Sequence, residues 1–284
     1  TMSFLPVNSS QTSIDAAVSA GITSFSLELI PRISRAQSMD ALTSQALCAG
    51  YRAVLVGAEL SPRFFPLLMT AAGTVTPAQV LVLGAGVAGL QAIATARRLG
   101  AVVSAYDVRS SSADEVRSMG ASFIDLELEA LEGSGGYARE MGEDRAQRQR
   151  ELLTPYVANS DVVITTAAVP GRAAPRLITQ EMMLGMKEGS VVVDLASESG
   201  GNVEGSKPGE VITTAQGVRI WGGKDVASQL PYHASQLYSR NILNLLQLMT
   251  KDGVVTPDFE DEIVDASAVT HAGVQRLPKP TPTA

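Results

Sequence analysis

Apolar runs alternate with segments of helical periodicity along this chain, regularly enough to predict its elements. Continuous apolar runs bounded by glycine or polar residues predict strands at 24–29, 79–84, 101–106, 123–126, 162–166, 190–195 and 218–221. Apolar residues three and four positions apart predict helices at 14–20, 34–56, 62–70, 87–99, 111–119, 179–186 and 233–250, with a polar, helix-prone region at 137–156. Strands that alternate with helices indicate an α/β protein with a doubly wound parallel sheet.

Residues 80–109 carry the most specific signal. They comprise a strand, the motif Gly84-Ala-Gly86-Val-Ala-Gly89, a helix, and a second strand that ends at Asp107. Gly84 permits a tight turn, Gly86 lets a pyrophosphate approach the backbone, and Gly89 allows close packing of helix on strand. An ordinary glycine turn is the alternative, but it rarely has this whole context. The motif therefore predicts a Rossmann-like dinucleotide-binding domain.

The same segment indicates which dinucleotide is bound. The first N–H groups of the predicted helix, at Val87 and Ala88, are available to phosphates at the positive end of the helix dipole. Asp107 lies where a carboxylate takes the adenosine ribose hydroxyls and repels a 2′-phosphate, which favours NAD(H) over NADP(H). Val108 and Arg109 follow. An arginine is able to accommodate that phosphate, but the strand is predicted to end here, and we interpret Arg109 as secondary. NAD is the predicted cofactor.

Three further loops follow predicted strands and are expected at the same edge of the parallel sheet as the glycine turn. They span 166–172, 196–202 and 221–225 and are rich in small or polar residues. Loops at this edge line nucleotides in open α/β sheets. From them we select candidate cofactor contacts, namely Thr166, Ala167, Ala168, Ala196, Glu198, Gly223 and Asp225.

The domain organisation follows from these elements. Residues 41–234 are predicted to form the Rossmann-like NAD(H)-binding domain. Residues 1–29 supply too little of a sheet for a core of their own, and we expect residues 1–40 to be the remnant of an N-terminal catalytic domain to which residues 235–284 return. The predicted fold class is therefore α/β, a doubly wound parallel sheet with part of a second α/β domain.

Composition narrows the classes of function. The formal net charge of −7 argues against nucleic acid or an anionic membrane surface as the main partner. The single cysteine, Cys48, rules out an internal disulfide and is typical of a small buried residue. The two histidines, His233 and His271, lie at the start of the last long predicted helix and near the C-terminal end. No cluster has metal-ligand spacing, so no metal site is predicted.

Several segments, in order, extend the prediction from a fold to a family. Besides the glycine motif they are 31–45 (PRISRAQSMDALTSQ), 72–74 (AGT), 135–142 (GGYAREMG) and 198–202 (ESGGN). Together they closely resemble the proton-translocating NAD(P)+ transhydrogenases, specifically the soluble NAD(H)-binding component of the alpha subunit, a relative of alanine dehydrogenase. The resemblance runs from about residue 25 to residue 270.

This resemblance implies a reaction and partners. NAD(H) bound here would exchange a hydride with NADP(H) on a partner domain or subunit, and a membrane proton-channel domain would couple the exchange to proton movement. A homodimer is expected, on the soluble face of a membrane-bound complex, either the bacterial cytoplasmic side or the mitochondrial matrix side. The chain itself is expected to be soluble.

The resemblance also implies site residues. Arg32, Gln37, Asp40 and Thr43 correspond to positions near the nicotinamide, and Gly136 to a cofactor contact. A guanidinium, an amide and a carboxylate are able to orient a carboxamide ring. Ser34 and Gln37 also have the spacing of a capping box, and Asp40 is favourable near a helix start, so capping and cofactor contact both remain open.

One loop departs from the family pattern. The family's mobile loop, Gly-Tyr-Thr-Asp-Leu-Pro-Ser, corresponds here to 222–228, with Gly223 in place of tyrosine and Ala227 in place of proline. We expect weaker loop closure and slower hydride transfer, because glycine costs more entropy to order. A tyrosine at position 223 is expected to speed transfer.

Two other functions compete with transhydrogenation. An alanine-dehydrogenase-like enzyme needs a proton donor or acceptor beside its substrate, whereas hydride exchange between two nicotinamides needs only proximity and orientation. A truncated, non-catalytic NAD(H)-binding module would bind cofactor without turnover. The chain alone is expected to lack hydride transfer, because it has no NADP(H) site.

Overall fold

The computed structural model describes residues 1–128, 142–168 and 172–276. The predicted contact Gly136 lies outside these residues. The chain forms two compact units. One comprises residues 46–230, and the other comprises residues 1–45 together with the chain from residue 231 onward.

The helices and strands of the described residues have the following bounds. The α-helices are α1 (Gln11–Ser19), α2 (Ala41–Leu60), α3 (Val87–Arg98), α4 (Ser112–Ser118), α5 (Glu143–Asn159), α6 (Gln180–Leu184), α7 (Pro231–Leu248) and α8 (Glu262–Ser267). The strands are β1 (Met2–Ser3), β2 (Ser24–Ser26), β3 (Leu68–Thr70), β4 (Gly73–Val75), β5 (Gln79–Leu83), β6 (Val102–Tyr106), β7 (Ser122–Phe123), β8 (Val162–Thr165), β9 (Val191–Asp194), β10 (Val211–Thr213), β11 (Arg219–Gly222), β12 (Thr250–Lys251), β13 (Val254–Val255), β14 (Ala268–His271) and β15 (Val274–Gln275). Short 3-10 helices lie at Leu27–Leu29, Ser34–Met39, Ser197–Ser199 and Ala227–Gln229.

In the unit at 46–230, seven strands of the described chain form one sheet in the order β10-β11-β9-β8-β5-β6-β7. All neighbours are parallel except β10 and β11, which pair antiparallel at one edge. The strand order reverses at β5, with β6 on one side and β8 on the other. The carboxyl end of β5 is therefore the topological switch point where such sheets bind ligands. The predicted α/β fold with a doubly wound parallel sheet is confirmed.

Helices cover both faces of this sheet, which explains why its strands are continuous apolar runs. Val80 of β5 packs on one side in a buried cluster with Ile93 of α3. The next residue, Leu81, faces the other side and packs in a second cluster with Leu153 of α5. Because both faces are buried, polar groups concentrate in the loops at the strand ends.

The prediction of a helix at 62–70 is wrong, because this segment ends in β3, which forms an antiparallel hairpin with β4. Pro66 interrupts the apparent helical spacing, since it lacks an N–H and disfavours helical backbone in the preceding residue. Thr70 stabilises the turn of the hairpin, where its Oγ1 accepts the N–H of Ala72 at 3.1 Å.

The helix predicted at 34–56 is divided in two. The 3-10 helix Ser34–Met39 ends at Asp40, whose backbone is extended (φ −73°, ψ 91°), and α2 begins at Ala41. The edge strand β10 and the elements after α7 were not predicted from the sequence either. These short elements lack the long apolar runs and the repeated helical spacing on which the prediction depended.

The unit at 1–45 and 231 onward has its own sheet, in the order β1-β2-β14-β15. β1 runs parallel to β2, β14 runs antiparallel to β2, and β15 runs antiparallel to β14. The buried core of this unit includes Phe25, Met39, Leu245 and Ile263. Segments far apart in the sequence therefore share one core.

Candidate nucleotide-binding site

The three motif glycines have different structural roles. Gly84 has φ +103°, and a Cβ there would lie 2.6 Å from Thr166 Oγ1. A Cβ on Gly89 would overlap the carbonyl oxygen of Gly84, so both positions require glycine for packing. Gly86 differs, because a Cβ there would meet no atom of the described chain within 4 Å apart from its two neighbours in the sequence. The motif therefore leaves open space directly in front of Gly86.

This open space lies at the N-terminus of α3. Gly86 is the N-cap residue, and among the described residues no side chain caps it. The N–H groups of Val87 and Ala88 are in the first turn, where a helix has no internal partner for them. Backbone donors and the helix dipole together favour an anion here.

Thr166 lies against the glycine turn, directly after β8. Its N–H donates to the carbonyl of Leu83 at 2.9 Å, and its Oγ1 donates to the carbonyl of Gly84 at 3.0 Å. Ala167 follows, with its nitrogen 3.2 Å from where a Cβ on Gly84 would lie, and Ala168 is exposed beyond it. Two of the predicted contacts therefore adjoin the motif itself.

Asp107 directly follows β6, beside the same turn. Its Oδ2 accepts the N–H of Ala85 at 2.7 Å, and its Oδ1 accepts the N–H of Arg109 at 2.9 Å. The Arg109 guanidinium also donates to both oxygens, and the side chains of Arg109 and Asp107 are only 17% and 7% exposed. The arginine interpreted as secondary is thus a direct partner of the predicted ribose-binding acid.

A cavity of about 250 Å³ opens next to Asp107. Val108, Phe123 and Leu126 give it apolar walls. Tyr106 also lines it, and its hydroxyl donates to Gln149 Oε1 at 3.0 Å. Burial raises the pKa of Tyr106 to about 12. Its phenol therefore stays protonated to a higher pH than that of an exposed tyrosine.

Asp194 is a buried acid that was not selected from the sequence. It ends β9 and is completely buried. Its Oδ1 accepts the N–H groups of Ala196 at 3.0 Å and Asn202 at 3.2 Å, and its Oδ2 accepts that of Val203 at 3.2 Å. The available signal was an acid at the end of an apolar strand, the pattern that identified Asp107. Asp194 fixes the loop that carries the predicted contact Ala196.

Asn202 joins this loop to the one after β8. It is completely buried, and its Nδ2 donates to the carbonyls of Ala167 at 2.9 Å and Pro175 at 2.8 Å. The side chain of Glu198 makes a second connection, because its Oε2 accepts the N–H of Asp225 at 2.9 Å. The loops carrying the predicted contacts are therefore hydrogen-bonded to one another.

The structure argues against the expected benefit of a tyrosine at position 223. The N–H of Gly223 donates to the carbonyl of Asp194 at 2.8 Å. A Cβ at position 223 would lie 2.9 Å from Val226 Cγ2, 3.0 Å from that carbonyl oxygen and 3.2 Å from the Trp221 ring. Val226 and Trp221 belong to the buried core. A side chain here would be directed into packed atoms, so the expected gain in transfer rate does not follow from this loop conformation.

The four residues expected near the nicotinamide lie in the other unit. Asp40 caps α2, because its Oδ1 accepts the N–H of Thr43 at 2.9 Å and its Oδ2 accepts the Thr43 hydroxyl at 2.6 Å. The capping box of Ser34 and Gln37 is not formed, since Ile33 precedes the 3-10 helix and no side chain caps it among the described residues. Gln37 is exposed.

Arg32, the fourth of these residues, is also exposed. Asp40 and Thr43 are thus in direct contact. Arg32 and Gln37 are near them in the sequence.

Known proteins are similar to this chain in sequence and in fold. Residues 53–277 match the family model described as "Alanine dehydrogenase/PNT, C-terminal domain". An NAD(P) transhydrogenase alpha subunit of Rhodospirillum rubrum is 50% identical over 265 residues, covering 92% of this chain and 69% of that protein. The chain belongs to the alanine dehydrogenase/PNT family. The crystal structure of transhydrogenase from Sinorhizobium meliloti is 47% identical with a TM-score of 0.84, over 96% of this chain and 74% of that one.

The alanine dehydrogenase branch of the family is more distant. Alanine dehydrogenase of Mycobacterium tuberculosis is 32% identical over 208 residues, covering 72% of this chain and 50% of that protein. The predicted resemblance to transhydrogenase alpha subunits is therefore confirmed.

Two further features bear on what the chain contacts. None of the helices in residues 1–128, 142–168 and 172–276 combines the length and apolarity that crossing a membrane requires. Over the same ranges, no three His, Cys, Asp or Glu side chains are grouped as a metal site.

Proposed function

We propose that this chain is the NAD(H)-binding component of a proton-translocating transhydrogenase. In this proposal it exchanges a hydride with NADP(H) held on a partner domain or subunit. The observation that carries the proposal is the open space before Gly86, beside the uncapped N-terminus of α3 and the acid Asp107. The identity to transhydrogenase alpha subunits supports this choice over other dinucleotide enzymes.

The residues fit a dinucleotide. The backbone of Gly86, Val87 and Ala88 would hold the pyrophosphate, because a side chain at position 86 would fill the space that the phosphates need. Asp107 would accept the adenosine ribose hydroxyls, and the cavity walled by Val108 offers the adenine apolar contact. The remaining proposed cofactor contacts are Arg109, Gly136, Thr166, Ala167, Ala168, Ala196, Glu198, Gly223 and Asp225.

Arg32, Gln37, Asp40 and Thr43 are proposed to orient the nicotinamide. When bound, NAD(H) supplies the hydride or accepts it at its nicotinamide ring. Asp40 is already fixed by Thr43 and provides negative charge that favours the oxidised, positively charged ring. The exposed Gln37 offers both a donor and an acceptor to a carboxamide. These residues act by positioning and charge, and the reaction needs no proton transfer at the reacting carbons.

The proposal includes partners and location. The partners are an NADP(H)-binding domain or subunit and a membrane proton-channel domain, and the component is a homodimer. The complex is membrane-bound, with this component on its soluble face.

Calorimetric titration with NADH and NADPH, followed by a hydride-exchange assay with an added NADP(H)-binding domain, tests the proposal. We expect preference for NADH and exchange only when the partner is present. Alanine-dependent reduction of NAD+ by the chain alone would instead support an alanine dehydrogenase, the function suggested by the relative that is 32% identical. NADH binding without either activity would identify a non-catalytic module.

A further inference from the structure

The break between the 3-10 helix and α2 has a specific cause. A continuous helix would need the N–H of Leu42 bonded to the carbonyl of Ser38, and the N–H of Thr43 bonded to that of Met39. Instead, Thr43 N–H donates to the Asp40 side chain at 2.9 Å. The carbonyl of Ser38 is held by side chains of α7. The helical bonds are thus replaced by other partners at the point where the chain turns.

Asn241 is one of those α7 side chains. Its Nδ2 donates to the carbonyl of Ser38 at 2.9 Å, and its Oδ1 accepts the hydroxyl of Ser44 at 2.8 Å. Asn244, one turn further, also donates its Nδ2 to the Ser38 carbonyl at 2.9 Å. One amide therefore binds the chain at two points, one residue after Gln37 and one residue after Thr43.

The position of Asn241 in α7 is unusual for a polar side chain. It is 6% exposed and lies in the buried stripe of the helix with Ala234 and Leu245. An apolar residue would suit this stripe, because a buried amide must recover its lost hydration through hydrogen bonds. Both polar atoms of Asn241 recover it from the one segment that carries the proposed nicotinamide contacts.

We propose that Asn241 is a positioning residue, which interrupts the helix so that Gln37, Asp40 and Thr43 are presented to the nicotinamide. This inference rests on the proposed function. If it is correct, the loss of the amide leaves the affinity of the adenosine and pyrophosphate portion intact. Only the additional affinity contributed by the nicotinamide is lost.

The test compares two ligands. ADP-ribose contains the adenosine, the pyrophosphate and a second ribose but lacks the nicotinamide, so the ratio of its Kd to that of NADH reports the contribution of the ring. Asn241→Leu removes both hydrogen bonds but continues the apolar stripe, so Tm should not fall much. We expect it to lower the ratio at least about fivefold, the order of a lost buried hydrogen bond.

Two further variants keep the test decisive. Asn244→Leu makes the same change on the partly exposed side of α7, where water replaces the lost donor, and should change the ratio less than about twofold. Ser44→Ala keeps Asn241 and removes the hydroxyl that donates to its Oδ1, together with the contacts of that hydroxyl to the Ala41 carbonyl and the Gln45 amide, and should lower the ratio about two- to fivefold. It tests the inference even if Asn241→Leu does not fold.

The outcomes separate the two proposals. An unmodified chain that binds neither ligand would overturn the proposed function and this inference with it. Equal Kd values for NADH and ADP-ribose in the unmodified chain would overturn this inference alone. So would an unchanged ratio in Asn241→Leu and Ser44→Ala, or a loss of both affinities in parallel with Tm, since that is the result of a purely structural role.

Discussion

Arg109 occupies both oxygens of the Asp107 carboxylate, with Nε 2.9 Å from Oδ1 and Nη2 3.0 Å from Oδ2. The backbone N–H groups of Ala85 and Arg109 bind the same carboxylate. A carboxylate has about four lone-pair positions. A ribose diol therefore has to displace the guanidinium donors, and the arginine also offsets the charge with which Asp107 repels a 2′-phosphate.

We expect Arg109→Gln to sharpen the discrimination against NADPH. The ratio of Kd for NADPH to Kd for NADH should rise about tenfold, because the charge of Asp107 is no longer compensated. Asp107→Asn should lower the same ratio. Arg98→Gln, at an exposed position in the last turn of α3, is the control for net charge and should leave the ratio within about twofold. A lower ratio in Arg109→Gln would contradict the compensation.

Gly86 and Gly89 should respond differently to alanine. Gly86→Ala should keep Tm within about 2 °C, because its Cβ meets no atom of the described chain, yet weaken NADH binding about tenfold or more by filling the phosphate space. Gly89→Ala should lower Tm by about 5 °C or more, because its Cβ overlaps the Gly84 carbonyl. Calorimetry and thermal unfolding measure the two effects. Normal NADH affinity in Gly86→Ala would locate the phosphates elsewhere.

Gly223→Tyr should destabilise the chain by about 1–3 kcal/mol, since the new side chain meets Val226 and the Asp194 carbonyl. Adding Val226→Ala removes the nearest contact and should recover some of this loss. Urea denaturation of the single and double variants checks the expectation. A single variant as stable as the unmodified chain would mean that the loop adopts another conformation.

Because of Tyr106, we expect the folded chain to lose stability in alkaline solution. Its pKa is raised to about 12, whereas an unfolded tyrosine titrates near 10. Below pH 10 the phenol is neutral in both states. Between pH 10 and 12 only the unfolded chain releases the proton, so the folded state loses stability. The stability advantage of the unmodified chain over Tyr106→Phe should shrink across this interval in urea denaturation, and a constant difference would disprove the burial effect.

The elements of the fold that could be predicted depend on local signals. The unit from β5 to β6 was predicted to within a residue or two, because the apolar runs, the glycines and Asp107 all lie within residues 79–107. The helix break at Asp40 was missed, and the Ser38 carbonyl beside it binds Asn241, about two hundred positions away in the sequence. The packed environment of Gly223 was missed for a similar reason, since the carbonyl it meets belongs to Asp194 on another strand.

The site residues show the same limit. Asp194 ends an apolar strand and Asn202 lies in the segment 198–202, but neither was selected, because their partners are backbone groups of loops that the sequence does not show together. Polar residues that hold loops in place become visible only when the loops are assembled.

The strands of the four-stranded sheet come from distant segments of the chain, and this affects the order of folding during synthesis. β2 leaves the ribosome well before its partner β14, which lies more than two hundred residues later. Because synthesis proceeds at roughly 5–20 residues per second, β2 is unpaired on the β14 side for tens of seconds. The contiguous unit at 46–230 is complete before then. The glycine turn and Asp107 can therefore be assembled on the seven-stranded sheet before α7 has been synthesised to bind the segment that carries Asp40.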